Sequence, residues 1–376
     1  MLDFGRTASF RVGNVYCKYQ LLDADRPVVV SFAHHISGVE EDKIEQSPDP
    51  WAFQYLSARS PNVVCFSFIS GKYTYYRDRN LLDALPGISS SLRLFPQRLG
   101  YGCSAGAYAV SAFSNVLRLD KILLLCPIST RLREVATWDL EAKRFLSSFD
   151  FDWEEPYADG AATESEGYVI YDPLFRLDRL HAERYTKLKK LVLPGTGHLV
   201  PDRLHRLGML SWTVDSFLTG EIPESEFYTR ARGRKELRDY YAWMLSRENV
   251  RLTKTREKAI LRALADRNSG IYYGLKLPAF AHNLRKGYEP ADLLRDLALT
   301  FEEGGDKQTA LALMAQAYNL RPGGMFIQSK YKSLKGELQK AEAQAADEAP
   351  LRRSMISEGV SRVLSFRPRR AGARIG

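Results

Sequence analysis

Cysteine is scarce in this chain: Cys17, Cys65, Cys103 and Cys126 are four among 376 residues, and no two stand in a C-x-x-C pair. That excludes a disulfide framework and the usual zinc spacings, and buried free thiols are the expectation. Long apolar runs are also missing. Residues Ile122 to Pro127 form one of the longest, well below the roughly 18–20 residues of a membrane span. The first fourteen residues carry Asp3, Arg6 and Arg11, where a secretory leader needs an uninterrupted apolar stretch. A soluble, cytoplasmic protein without a membrane span is expected. Acidic residues are fewer than basic ones, 45 against 54, for a formal charge of +9. Seven arginines from Arg352 to Arg374 face only Glu358 between Leu351 and the end. Much of the excess charge therefore belongs to a tail, and no nucleic-acid groove is expected.

What is present is a rhythm of short apolar runs between helical or loop stretches from Phe10 onward. Residues 28–32, 62–68, 98–102, 121–126, 167–171 and 189–193 read as strands. Residues 105–117 read as a helix rich in small side chains, and 201–218 as a closing helix. Alternation of this kind predicts an α/β fold, a mostly parallel sheet flanked by helices. Residues 129–166 interrupt it with clustered charge and aromatics and suggest a cap. Gly220 to Pro223 marks a boundary, so an α/β domain is expected over 1–220. A helical domain over 221–345 and a basic, flexible tail over 346–376 would follow.

The chemistry centres on Gly102-Cys103-Ser104-Ala105-Gly106, a G-x-S-x-G. Three fixed residues recur by chance in roughly one chain in ten of this length, so context decides. The pentapeptide ends a strand and opens a helix, where flanking glycines let the two pass without Cβ clashes. A serine needs a base to take its proton. Of the six histidines, His198 alone follows a strand directly, in Pro194-Gly195-Thr196-Gly197-His198. The acid should leave the preceding strand. Asp172, at the strand end before Pro173, is preferred over Asp178, whose ordinary role would be a helix cap; Asp150 is a further possibility.

An oxyanion needs two preorganised amides, expected from Ala105 and from the Ala33-His34 loop after the first buried strand. The adjacent His34 and His35 point to opposite sides of an extended segment and are not read as a metal pair; neither a metal nor a cofactor is expected. Tyr75, Tyr76 and Arg77 follow the next strand, where aromatic faces and a cation could hold a sugar or an anion.

Together, Gly102 to Gly106, the Asp172 region and Thr196 to His198 resemble the α/β-hydrolase superfamily over about residues 10–218. The resemblance implies an acyl-enzyme on Ser104, with His198 relaying the proton. The substrate would be a small or carbohydrate-linked acyl ester. Residues 291–322 resemble one tetratricopeptide unit, with Leu294, Leu297, Ala298, Phe301, Ala310, Met314 and Ala317 at packing positions and Pro322 ending it. A protein partner or self-association through this region is implied. The competing reading is a non-catalytic scaffold with a hydrolase-like domain.

Overall fold

Val28, Val30 and Phe32 face one side of their strand and Val29 the other, and every one of them is buried. A strand covered on both faces is the mark of a parallel sheet sandwiched between helices. A computed structural model describes residues 2–139, 156–237 and 290–341, with isolated positions between 240 and 260. Its strands are β1 (Arg6–Val12), β2 (Val15–Leu21), β3 (Val28–Phe32) and β4 (Asn62–Phe68), then β5 (Arg98–Cys103), β6 (Lys121–Leu125), β7 (Glu166–Tyr171) and β8 (Lys189–Val192). They form one sheet in the order β1-β2-β4-β3-β5-β6-β7-β8. Only β2 runs against its neighbours.

The helices of the same unit are α1 (Phe53–Ser57), α2 (Arg79–Leu92), α3 (Ala105–Leu117), α4 (Arg176–Glu183), α5 (Val200–Arg206), α6 (Leu210–Thr219) and α7 (Glu224–Ala231). Strand alternation sorts them into two cores. Val28, Val30, Val64, Phe66, Ile122 and Leu124 pack with α2 and α3 on one face. Val29, Val63, Cys65, Leu123, Leu125 and Ile170 pack with α1, α5, α6 and α7 on the other. The closing helix expected over 201–218 is two helices, because Gly208 turns the chain at φ +66°. The chain divides into compact units at residues 1–253 and 254–376. The first passes the expected Gly220–Pro223 boundary, since Phe227 and Ala231 lie in the same core cluster as Val214 and Phe217.

Of the expected cap, residues 140–155 lie outside the described residues, as do Asp150 and the basic tail over 346–376. The ends of the excursion are tied together: Thr130 bridges to Asp159, and the Gly160 amide donates to the Ser129 carbonyl at 2.7 Å. In the second unit, α8 (Pro290–Glu303) and α9 (Lys307–Leu320) form a hairpin, followed by α10 over 325–341. Leu294, Leu297, Ala298, Phe301, Ala310, Met314 and Ala317 are all buried there. Among the described residues the hairpin occurs once, so a repeat array is not shown.

One of the tightest backbone contacts in the first unit lies between α3 and β3. A Cβ on Gly106 would stand 2.1 Å from the Phe32 carbonyl oxygen. Because the obstacle is backbone, Gly106→Ala is expected to destabilise the unit by about 3 kcal/mol, near the upper end for an overpacked site. Urea unfolding measures this directly; a change within error of zero would mean that the helix can shift outward without cost.

Candidate active site

Ser104 stands between β5 and α3 with φ 52° and ψ −121°, a backbone state that costs on the order of 1–3 kcal/mol for a residue with a side chain. Its surroundings hold it there. The Ser104 amide donates to the Leu125 carbonyl at 2.9 Å, and its carbonyl accepts the Tyr108 amide at 3.1 Å. A Cβ on Gly102 would lie 2.7 Å from the Gly106 carbonyl oxygen, so both glycines of the motif are sterically required. The strain lifts Oγ off the strand end toward the loop after β8.

On that loop, His198 Nε2 lies 2.9 Å from Ser104 Oγ. Its Nδ1 lies 2.6 Å from Asp178 Oδ1. The imidazole is about one-third exposed, and the Asp178 side chain is almost fully buried. Asp178 Oδ2 makes no hydrogen bond among the described residues, so His198 is the principal partner of this carboxylate. Serine, aspartate and histidine occur in that chain order around a strained turn between a strand and a helix. The first unit has the α/β-hydrolase fold.

No family model matches the chain, and no curated protein matches it. Several solved structures do. The first unit is similar to the esterase Est1E from Butyrivibrio proteoclasticus, at 13% identity over 57% of this chain and 98% of that one, with a TM-score of 0.39. A carboxyl esterase from Tuber melanosporum is similar at 15% identity over 57% and 85%, TM-score 0.39. The capsule O-acetyltransferase of Neisseria meningitidis serogroup A is similar at 11% identity over 56% and 94%, TM-score 0.38. These scores are low, and the fold rests on the strand order and the elbow.

Asp172, expected against the histidine, is elsewhere. Its Oδ1 accepts the Leu174 amide at 2.8 Å, an Asx turn closed two residues along the chain. Its Oδ2 accepts the amides of Thr196 and Gly197 at 2.8 and 2.7 Å. The carboxylate thus ties the turn after β7 to the loop after β8, and that turn leads the chain into the first turn of α4. There Asp178 faces His198. It is not a cap: Phe175 is the N-cap residue of α4, and no side chain caps the helix.

The expected oxyanion donors separate in the same way. The Ala33 amide donates to the Phe66 carbonyl at 2.9 Å, and the Ala33 carbonyl accepts Tyr76 Oη at 2.7 Å. Ala33 is therefore committed to the sheet and cannot serve. The His34 amide makes no hydrogen bond among the described residues, and Ala105 opens α3, where no intrahelical acceptor exists. Both amides remain available. The His34 ring bonds Ser37 Oγ at 3.0 Å and lies edge-on to Trp51, whereas the His35 ring faces Tyr73 and the cavity. They do not form a metal pair. Burial and mutual repulsion lower the pKa of His34; burial, His198 and Arg131 lower that of His35.

A cavity of about 290 Å³ opens above Ser104. Tyr75 lines it. Tyr76 and Arg77 do not; Tyr76 is fully buried and bonded to Ala33. The remaining wall was not anticipated. It contains Arg131, Asp139 and His181, with Ile128, Phe175 and Leu177 as its apolar part. Arg131 follows the carboxyl end of β6, a position where ligands are bound in sheets of this kind, and that placement was the available signal.

Cys126 Sγ, the Asp178 carboxylate and His198 lie within 4.8 Å of one another. Two ligands on one zinc ion stand about 3.3 Å apart, whereas Asp178 and His198 are at hydrogen-bonding distance. The Cys126 thiol is pushed up by burial and by Asp178, against the deprotonation that a metal requires. These residues do not fit a metal.

Burial pushes the Asp172 carboxyl up to about 6, while its three amide donors pull it down part of the way. The folded chain then holds this proton at a pH where the unfolded chain has released it. Its contribution to stability is complete below about pH 4 and declines as pH rises to about 6. Relative to Asp172→Asn, the wild type is expected to lose on the order of 2–3 kcal/mol over that interval, read from urea unfolding at each pH. A difference that grows with pH would show that the amides outweigh burial.

Proposed function

We propose that the chain is a serine hydrolase of carboxylic esters of small acyl groups, with Ser104 as nucleophile, His198 as base and Asp178 as the acid that orients it. The observation that carries this reading is the unbroken relay from Asp178 Oδ1 through both ring nitrogens of His198 to Ser104 Oγ, 2.6 and 2.9 Å long. A carboxylate at Nδ1 favours the tautomer with its proton there and leaves Nε2 free to take the serine proton.

Ser104 Oγ then attacks the ester carbonyl. The developing oxyanion is met by the amides of Ala105 and His34, and the imidazolium is stabilised by Asp178. The proton passes from Nε2 to the leaving alcohol. Water, activated by the same nitrogen, releases the acid from Ser104. A carbohydrate on the substrate was expected from Tyr75, Tyr76 and Arg77; with Tyr75 alone at the cavity, the sugar is not part of this proposal. The helical second unit supplies none of these groups, and a role in binding a protein partner is proposed for it.

Ser104→Ala should abolish labelling by a fluorophosphonate probe and lower hydrolysis of p-nitrophenyl acetate by about four to six orders of magnitude. Asp178→Asn should keep the fold and lower turnover by about 10⁴, the effect of the wrong tautomer. Asp172→Asn should act chiefly on stability. Wild-type protein that neither labels nor turns over any ester would favour the scaffold reading instead, and a ranking with Asp172→Asn the more severe in turnover would return the role to Asp172.

A further inference from the structure

The wall of the Ser104 cavity includes a buried cation. The Arg131 side chain is 8% exposed and that of its partner Asp139 only 1%. Arg131 Nη1 bonds Asp139 Oδ2, and Nε and Nη2 both donate to Tyr75 Oη, at 3.1 and 2.7 Å. A guanidinium has five N–H groups, so these three bonds leave part of its donor capacity unused among the described residues. The carboxylate is more fully engaged. His181 Nδ1 accepts the Ser129 amide at 3.2 Å, which places the ring proton on Nε2, 3.3 Å from the same Asp139 oxygen. Asp139 therefore shares its charge between two donors, and the positive field of Arg131 still reaches His35 across the cavity. The same cavity that holds Arg131 and Ser104 is also lined by the apolar Ile128, Phe175 and Leu177.

A cation with spare donors, apolar side chains and a serine hydroxyl lining one small cavity match the parts of a particular ester. We propose that Arg131 is a carboxylate-binding residue, and that the cavity takes the acyl part of a short dicarboxylic hemiester, its ester carbonyl at Ser104 and its free carboxylate on the guanidinium. This rests on Ser104 being the nucleophile. A bidentate guanidinium–carboxylate contact in a desolvated site is among the strongest polar contacts available, and stronger than one to a neutral oxygen. A cavity near 290 Å³ is small for a ligand site and limits the acyl chain to about four to six carbons. The methylenes would lie on Phe175 and Leu177.

The test compares p-nitrophenyl hemiglutarate with p-nitrophenyl valerate, equal in chain length and differing in the terminal carboxylate. The wild type is expected to prefer the hemiglutarate by about tenfold or more in kcat/KM. Arg131→Lys keeps the charge and loses the planar fork; Arg131→Gln with Asp139→Asn removes both buried charges together, so that neither is left alone. In both proteins the ratio of the two kcat/KM values should fall to near one, and a ratio is unaffected by partial loss of folded enzyme. Calorimetric titration of Ser104→Ala protein with glutarate, and with its diamide as the neutral control, reads binding without catalysis. Equal turnover of both esters by the wild type, or a preference that survives in both variants, would overturn the carboxylate site and leave the hydrolase reading intact. No turnover of any ester, with glutarate binding that disappears on adding Arg131→Lys, would overturn the hydrolase reading and support the carboxylate site. Absence of both preference and binding would overturn it.

Discussion

At Gly106 the backbone of α3 passes so close to the Phe32 carbonyl that no side chain fits between them. This contact fixes where the helix begins relative to the carboxyl ends of β3 and β5. The turn at Ser104 must then be sharp enough to join a strand and a helix that nearly touch, and a positive φ is the result. With Oγ held above the sheet, the reactive geometry becomes a matter of bringing one loop to it, and the first turn of α3 presents a free amide on the same side.

The approaching loop is itself held by a carboxylate that does no part of the proposed chemistry. Asp172 collects three backbone amides from two loops, one contributed by its own turn and two by the segment before His198. Glycines at 195 and 197, both with positive φ, let that segment fold around it. Asp178 and His198 thus meet because a neighbouring buried carboxylate has set the spacing of the chains that bear them. Both carboxylates are buried, but one is satisfied by amides and the other chiefly by an imidazole, which is why the two are suited to different work.

Six of the strands were legible, five because central strands in a parallel sheet are covered on both faces and read as continuous apolar runs, and β8, at the sheet edge, from its apolar end before Pro194. The β1–β2 ribbon was not, since β1 carries Arg6, Thr7, Ser9 and Arg11 at the sheet edge and resembles surface chain. Ser104 and His198 were legible from glycine spacing and from position after a strand. The choice between Asp172 and Asp178 turned on side-chain bonds to backbone amides, which leave no periodic trace. Asp172 satisfied the expected position, at the end of β7, and its Asx turn handed the contact to a residue six places on. Arg131, Asp139 and His181 come together across 50 residues of chain; beyond the position of Arg131 after β6, nothing in the local pattern of Asp139 or His181 marks the cavity. Tyr76 had the composition of a binding residue and the burial of a core residue; its ring packs on Phe32 and Phe68 instead.

All four cysteines are buried and unpaired. Cys17 and Cys65 lie in paired strands β2 and β4, Cys103 directly precedes Ser104, and Cys126 follows β6 beside the His198 carbonyl. Burial pushes every one of these thiols up, Cys103 to about 12. Alkylating and disulfide reagents attack the thiolate and need access to it, and the native sheet withholds both. The chain consequently carries an internal clock: its thiols become reactive at the rate at which the sheet opens, strand by strand, and the order in which they are modified reports which part of the sheet parts first.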